Sequence, residues 1–255
     1  IRHPTVRAVL KHLGLADMEI HHDADLPARS GMGTSSAFTV GLLNACHALN
    51  GERVSKAELA TEAIHIEQDI LKETVGSQDQ VAAAYGGLSH IAFPPGGGFL
   101  VDPVPMRDGR LYEFHRHLLL FFTGVSRTAS EVAETFVPDI AKNLVLRDSA
   151  RSVEAGIDIL SAHGRIETFG EVLGEAWKKK RGLSPSISTP AIDGYYTAAL
   201  EAGAIGGKLL GAGCCGFMLF FARPADHEKI RARLPLLHVP FRFESDGSRI
   251  MFYSP

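Results

Sequence analysis

Apolar residues recur at helical spacing from the start of the chain. Val6, Val9, Leu10 and Leu13 fall on one face of "HPTVRAVLKHLG" and predict an amphipathic helix. "DMEIHH" reads as a short strand, and residues 37–49 are so uniformly apolar that their helix is expected to be buried nearly all round. Gly51 stops it. A further helix starts at Ser55, whose hydroxyl can cap while Glu58 reaches back in a capping box, and it runs to about Lys72. "GSQDQVAAAYGG" predicts a short helix closed by glycines, and "LSHIAF" a strand ended by the turn-rich "PPGGG". "HLLLFFTG" reads as a buried strand, followed by helical patterns over 128–142, 148–162 and 168–180. The loop "GLSPSISTP", a helix over 190–202, the strand "FMLFFA" and a helix near 225–233 lead to a final hairpin. That hairpin is expected because "VPFRFE" and "RIMFY" alternate around an Asp-Gly turn.

Helices and strands mix without steady βαβ alternation, so the fold class is α+β. The 255 residues, 45% of them hydrophobic, divide into two expected domains, 1–115 and 116–255. A formal charge of −3 gives no global attraction to nucleic acid or to an anionic membrane, and no apolar run is long enough to span a bilayer. The partner is therefore expected to be a small molecule. Three cysteines, two of them adjacent, make no disulfide framework and suit a reducing compartment, read with the lack of a signal peptide as the cytoplasm. The chain opens at Ile1, directly inside the first helical pattern, and is expected to lack an N-terminal part.

Chemistry concentrates in a few stretches. "PARSGMGTSS", residues 27–36, sets two glycines and three hydroxyls just where a helix begins. First-turn amides lack intrahelical partners and, with the helix dipole, attract anions; glycines let a phosphate approach the backbone. The same stretch also reads as an ordinary capped helix after a loop, and it matches neither the Walker nor the dinucleotide fingerprint. A second cluster, Gly203, Gly206, Gly207, Gly211, Gly213 and Gly216, is denser than one turn requires, although a cap with close backbone packing also accounts for it. Between the clusters, Glu67 borders the apolar face of its helix and Asp79 stands at the start of another. Each alone suits a solvated charge or a cap. Phosphoryl transfer needs such a pair, one carboxylate for Mg²⁺ and one for the acceptor hydroxyl.

These segments together resemble a known family. "PARSGMGTSSA" is similar to the Pro-x-x-x-Gly-Leu-Gly-Ser-Ser-Ala loop of the GHMP kinases, "KLLGAGCCGFMLFF" to their C-terminal glycine motif, and "VGSQDQ" to the segment carrying the catalytic aspartate of sugar-kinase members. Within the family, "FTGVSRTASEV", "EAWKKKRGLSPSIS" and "GAIGGKLLGAG" most closely resemble the D-glycero-D-manno-heptose 7-phosphate kinases. The resemblance implies a two-domain fold lacking its first strands, with ATP and Mg²⁺ as cofactors and a phosphorylated anomeric hydroxyl as product. It implies that Gly31, Gly33, Thr34, Ser35 and Ser36 wrap the ATP phosphates, that Ser35 and Glu67 hold Mg²⁺, and that Asp79 is the general base. Gly211, Ala212 and Gly213 would close the site.

Cys214 and Cys215 stand where relatives usually have glycines; they read as small buried residues whose side chains oppose positive φ. Lys180 and Arg181, ending the basic run "KKKR", and Arg127 in "TGVSR" are candidates for gripping a sugar phosphate, although such a run also serves as a solvated helix end. His115 and His117 are expected to alternate on a strand without binding metal, and His21 and His22 read the same way. Two other functions stay open: a galactokinase- or fucokinase-like enzyme acting on an unphosphorylated sugar, and a catalytically silent binder of sugar and nucleotide that regulates a partner.

Overall fold

The computed structural model describes residues 1–26, 30–124, 145–161 and 164–254, and the chain forms two compact units. The first comprises residues 1–28, 33–103 and 243–255, the second residues 29–32 and 104–242.

In the first unit, α1 (Pro4–Leu13), α2 (Thr34–Leu49), α3 (Lys56–Ile64) and α4 (Gln78–Tyr85) pack about a core that includes Val9, Leu10, Val40, Leu43, Leu59, Ala63, Ile66 and Val81. The first helix starts on Pro4 and ends at Gly14, whose left-handed φ of +66° a side chain would oppose. The capping box forms as expected: Glu58 N donates to Ser55 Oγ at 3.2 Å and Ser55 N to the Glu58 carboxylate at 2.8 Å. Burying one face of each helix, more than propensity, holds such short helices. A small antiparallel sheet pairs β1 (Ser89–Ala92) with β2 (Leu100–Pro103).

Three expectations change here. "DMEIHH" forms no strand among the described residues; residues 19–25 are exposed, so no alternating face is buried to hold a register. The second helix is not buried all round, since Ala37, Ala45 and Leu49 face outward. The final hairpin does not form among the described residues. The Asp246-Gly247 turn does form, but its backbone is spent on the end of α4: Ser248 N donates to Ala83 O at 2.9 Å and Gly87 N to Glu244 O at 2.8 Å. Met251 and Phe252 beyond it are exposed.

The second unit is built on an antiparallel sheet of order β4-β5-β3-β6, comprising β3 (Leu118–Phe122), β4 (Ala204–Leu209), β5 (Phe217–Ala222) and β6 (Leu237–His238). Around it lie α5 (Arg110–His115), α6 (Val145–Ser161), α7 (Glu167–Arg181), α8 (Pro190–Glu201) and α9 (His227–Arg233). The core includes Phe121, Trp177, Ile187, Leu209, Met218 and Phe220. Residues 104–115, expected in the first domain, cluster with this unit because Phe114 packs its ring against Phe169 and Phe221 at centroid distances of 4.8 and 6.1 Å. Arg110, 1% exposed, bonds Ile159 O and Gly164 O and so fastens the end of α6.

His115 ends α5 and His117 precedes β3, so the two do not alternate on a strand; their rings bond the carbonyls of Phe241 and Glu113. The helix expected over 128–142 lies outside the described residues. No helix among the described residues is long and apolar enough to cross a membrane.

Candidate active site

Glu67, Asp79 and Gly33 all belong to the first unit. The backbone of α3 continues without a break into one π-helical turn, His65–Ile70, which carries Glu67. Such a turn adds a residue to the spacing and often marks functional positions. Here it places the carboxylate inside, 1% exposed, rather than at the border of the apolar face. One oxygen, Oε2, accepts from Ser36 Oγ at 2.9 Å and from Gln80 Nε2; the other, Oε1, is buried and has no partner among the described residues.

Asp79 stands in the first turn of α4. The residue is open to solvent, yet partial desolvation of its carboxyl, and then the negative charge of Glu67, push its pKa above the ordinary carboxylate range. Gly33 opens α2 with φ +67°, and a β-carbon there would meet the Asp79 carboxyl carbon at 3.3 Å. Glycine at 33 thus leaves both the left-handed turn and the room beside Asp79. No side chain among the described residues caps the N-terminus of α2, so the first-turn amides of Thr34, Ser35 and Ser36 are available to a ligand or to water. Ser35 is exposed and its hydroxyl has no partner among the described residues; the hydroxyl brought to Glu67 is that of Ser36.

The remaining candidates lie in the second unit. Gly211 has φ +65°, and a β-carbon on it would come within 2.6 Å of Gly31 Cα, so the two glycines pack backbone to backbone. Gly213 rests against Ile187, whose carbonyl accepts from Cys214 N at 2.8 Å. Cys214 itself adopts φ +69°, so a side chain is accommodated in the left-handed conformation it was expected to oppose; Cys215 is buried. Lys180 Nζ donates to Gly211 O, and Arg181 pairs with Asp193 at 2.9 Å. Burial, with the charge of Lys208, brings Lys180 down to about 8. Arg127 lies outside the described residues.

Sequence reasoning overlooked Ser36 as a partner of Glu67, Gln80, and Lys208, whose pKa burial also lowers below the ordinary lysine value. Gln80 adjoins Asp79 in "SQDQ" and Lys208 opens "KLLGAG", but neither position signals its partner.

The model of the GHMP kinase N-terminal domain matches residues 2–87 and that of the GHMP kinase C-terminal domain residues 158–236, together more than half of the chain. The chain belongs to the GHMP kinase family. A D-glycero-alpha-D-manno-heptose 7-phosphate kinase of Campylobacter jejuni is 30% identical over 80% of this chain and 61% of its own. A bifunctional fucokinase/GDP-fucose pyrophosphorylase of Arabidopsis thaliana is 28% identical over 83% of this chain and 20% of its own. The chain thus spans about three fifths and one fifth of these two relatives. Among solved structures, a D-glycero-D-manno-heptose 1-phosphate kinase of Bacteroides thetaiotaomicron superposes with TM-score 0.72 at 26% identity, over 98% of this chain and 75% of that one.

Proposed function

We propose that this chain transfers the terminal phosphoryl group of ATP to the anomeric hydroxyl of D-glycero-D-manno-heptose 7-phosphate, giving the 1,7-bisphosphate. The observation that carries the reading is the arrangement of two carboxylates, Glu67 buried and Asp79 open to solvent at the start of α4. Asp79 is held beside the glycine that opens α2, and Glu67 is fixed through one oxygen while the other is left unpartnered among the described residues. The named activity of the C. jejuni relative supports the sugar.

In this reading the uncapped first turn of α2, with Gly31 and Gly33, holds the ATP phosphates by backbone amides, and Gly211, Ala212 and Gly213 contribute from the glycine loop. A magnesium ion fits the donors present, because among the described residues Glu67 Oε1 is a buried anionic oxygen with no partner and the Ser35 hydroxyl is unengaged. When bound, the ion neutralises charge on the transferring group. Asp79 accepts the proton of the sugar hydroxyl, and partial desolvation with the nearby Glu67 charge raises its basicity for that task. Lys180, Arg181 and Arg127 are assigned to the phosphate already on the sugar.

One observation favours the galactokinase- or fucokinase-like alternative: Lys180 and Arg181 are already engaged, by Gly211 O and by Asp193. The experiment is ADP release by the full chain with heptose 7-phosphate, galactose or fucose as acceptor. The expected result is a clear preference for the heptose phosphate. Lys180→Ala and Arg181→Ala should each lower kcat/KM on it by roughly 10- to 150-fold while leaving turnover of free hexose unchanged. Preference for a free hexose overturns the substrate, and no phosphoryl transfer to any acceptor favours the silent binder.

A further inference from the structure

We infer that Gln80 is a positioning residue of the cation site: its side-chain amide, together with the Ser36 hydroxyl, holds one carboxylate oxygen of Glu67 so that the other faces the metal. The inference rests on the function proposed above and extends it to a residue that touches neither substrate nor cation.

Glu67 is 1% exposed and Gln80 fully buried, so neither side chain has bulk water to turn toward. Both donors converge on Oε2, from Ser36 in the first turn of α2 and from Gln80 in α4. A carboxylate held through one oxygen by two rigid helices loses its rotamer freedom, and the lone pairs of the other oxygen acquire a fixed direction. The orientation of the Gln80 amide follows from chemistry: a carbonyl turned toward Glu67 would set lone pair against lone pair, so the NH₂ group faces the carboxylate. The Gln80 carbonyl oxygen then stands buried without a donor among the described residues, as does Glu67 Oε1. A divalent cation, if bound, would be held by the carboxylate of Glu67, with Gln80 supporting that ligand.

The identity of the donors matters as much as their placement. A lysine or arginine against Glu67 would cancel the charge that attracts a divalent cation. Ser36 and Gln80 are both neutral, and among the described residues Glu67 makes no ion pair, so it is held without being neutralised. Adjacent residues of one helix turn thereby divide the labour, Asp79 lying beside Gly33 and Gln80 supporting the metal ligand.

The test is Mn²⁺ binding in the presence of a non-hydrolysable ATP analogue, followed by electron paramagnetic resonance, for the full chain and for Glu67→Ala, Gln80→Met and Gln80→Asn. Methionine keeps the length of glutamine and removes the donor; asparagine keeps the donor and withdraws it. Gln80→Met is expected to weaken Mn²⁺ binding by about 10- to 100-fold, the usual effect of removing an outer-shell partner. Its thermal midpoint should stay near that of the parent, and its turnover should recover at high Mg²⁺, which a general packing defect would not do. Gln80→Asn should fall in the same direction and stands in if the methionine variant does not fold. Unchanged Mn²⁺ binding in the Gln80 variants, with binding lost in Glu67→Ala, overturns the positioning role and leaves the proposed function intact. Unchanged binding in Glu67→Ala as well removes Glu67 from the metal and overturns both.

Discussion

Under the proposed function the chemistry turns on Asp79. Its carboxyl sits beside Gly33 and is made more basic by partial desolvation and by the Glu67 charge. Asp79→Asn keeps the shape and removes the proton acceptor, so kcat should fall by roughly 10²–10⁴ while the KM for ATP stays close to the parent value. Steady-state kinetics at saturating Mg²⁺ would check this, and near-normal turnover would take Asp79 out of the mechanism. The pattern that nominates the two carboxylates lies in the sequence, in their order and spacing from the glycine loop, but their surroundings do not. The bond from Gln80 to Glu67 spans thirteen positions and depends on a π turn, which no hydrophobic periodicity announces. Cys214 illustrates the opposite error: its identity argues against a left-handed residue, and the packing of its neighbours imposes one.

Among the elements, the contact of α7 with β4 shows why the glycine-rich segment was half read. Close backbone packing was one of its expected meanings, but a strand through "AIGGKL" was not, because glycine is poor at holding a strand. The strand exists because α7 needs flat neighbours. A β-carbon on Gly206 would lie 1.9 Å from Gly170 O, a backbone atom that cannot swing aside. Gly206→Ala should therefore destabilise the chain by about 1–3 kcal/mol, read as a lowered urea midpoint, whereas Gly194→Ala in α8, where a β-carbon meets nothing within 4 Å, should be neutral or stabilising. The capping box at Ser55 was legible in full because both partners lie within one turn.

For the molecule as a whole, stability should depend on pH through His47. Its ring nitrogens meet Glu52 and Glu62 at 2.7 Å each, and Glu62 also contacts His12 at 3.0 Å. Burial alone would lower its basicity, but the two carboxylates outweigh burial and raise it above the ordinary value of 6.5. A folded-state value above the unfolded one stabilises the fold fully below that ordinary value, and the contribution fades as pH rises through the folded value. The thermal midpoint should thus decline on the alkaline side more steeply in the parent than in His47→Gln; parallel curves would contradict the assignment. The division of the chain was the least legible property, because sequence order suggested two consecutive blocks and the first unit is assembled from three segments. What recruits the last of them is a turn whose partners, Ala83 and Gly87, lie far back along the chain.

That late return bears on how the protein is made. A ribosome delivers residues 1–103 early, but the segment from Phe243 onward emerges only after all of the intervening second unit. At about 5–20 residues per second the wait is on the order of ten seconds. During it the nascent first unit has Gly86 and the end of α4 uncovered, with the Lys56 ammonium lacking its bond to Asp246 O. The newborn chain therefore passes through a stage in which its carboxylate-bearing unit is present but unlatched, open to chaperones and proteases until residues 244–248 arrive.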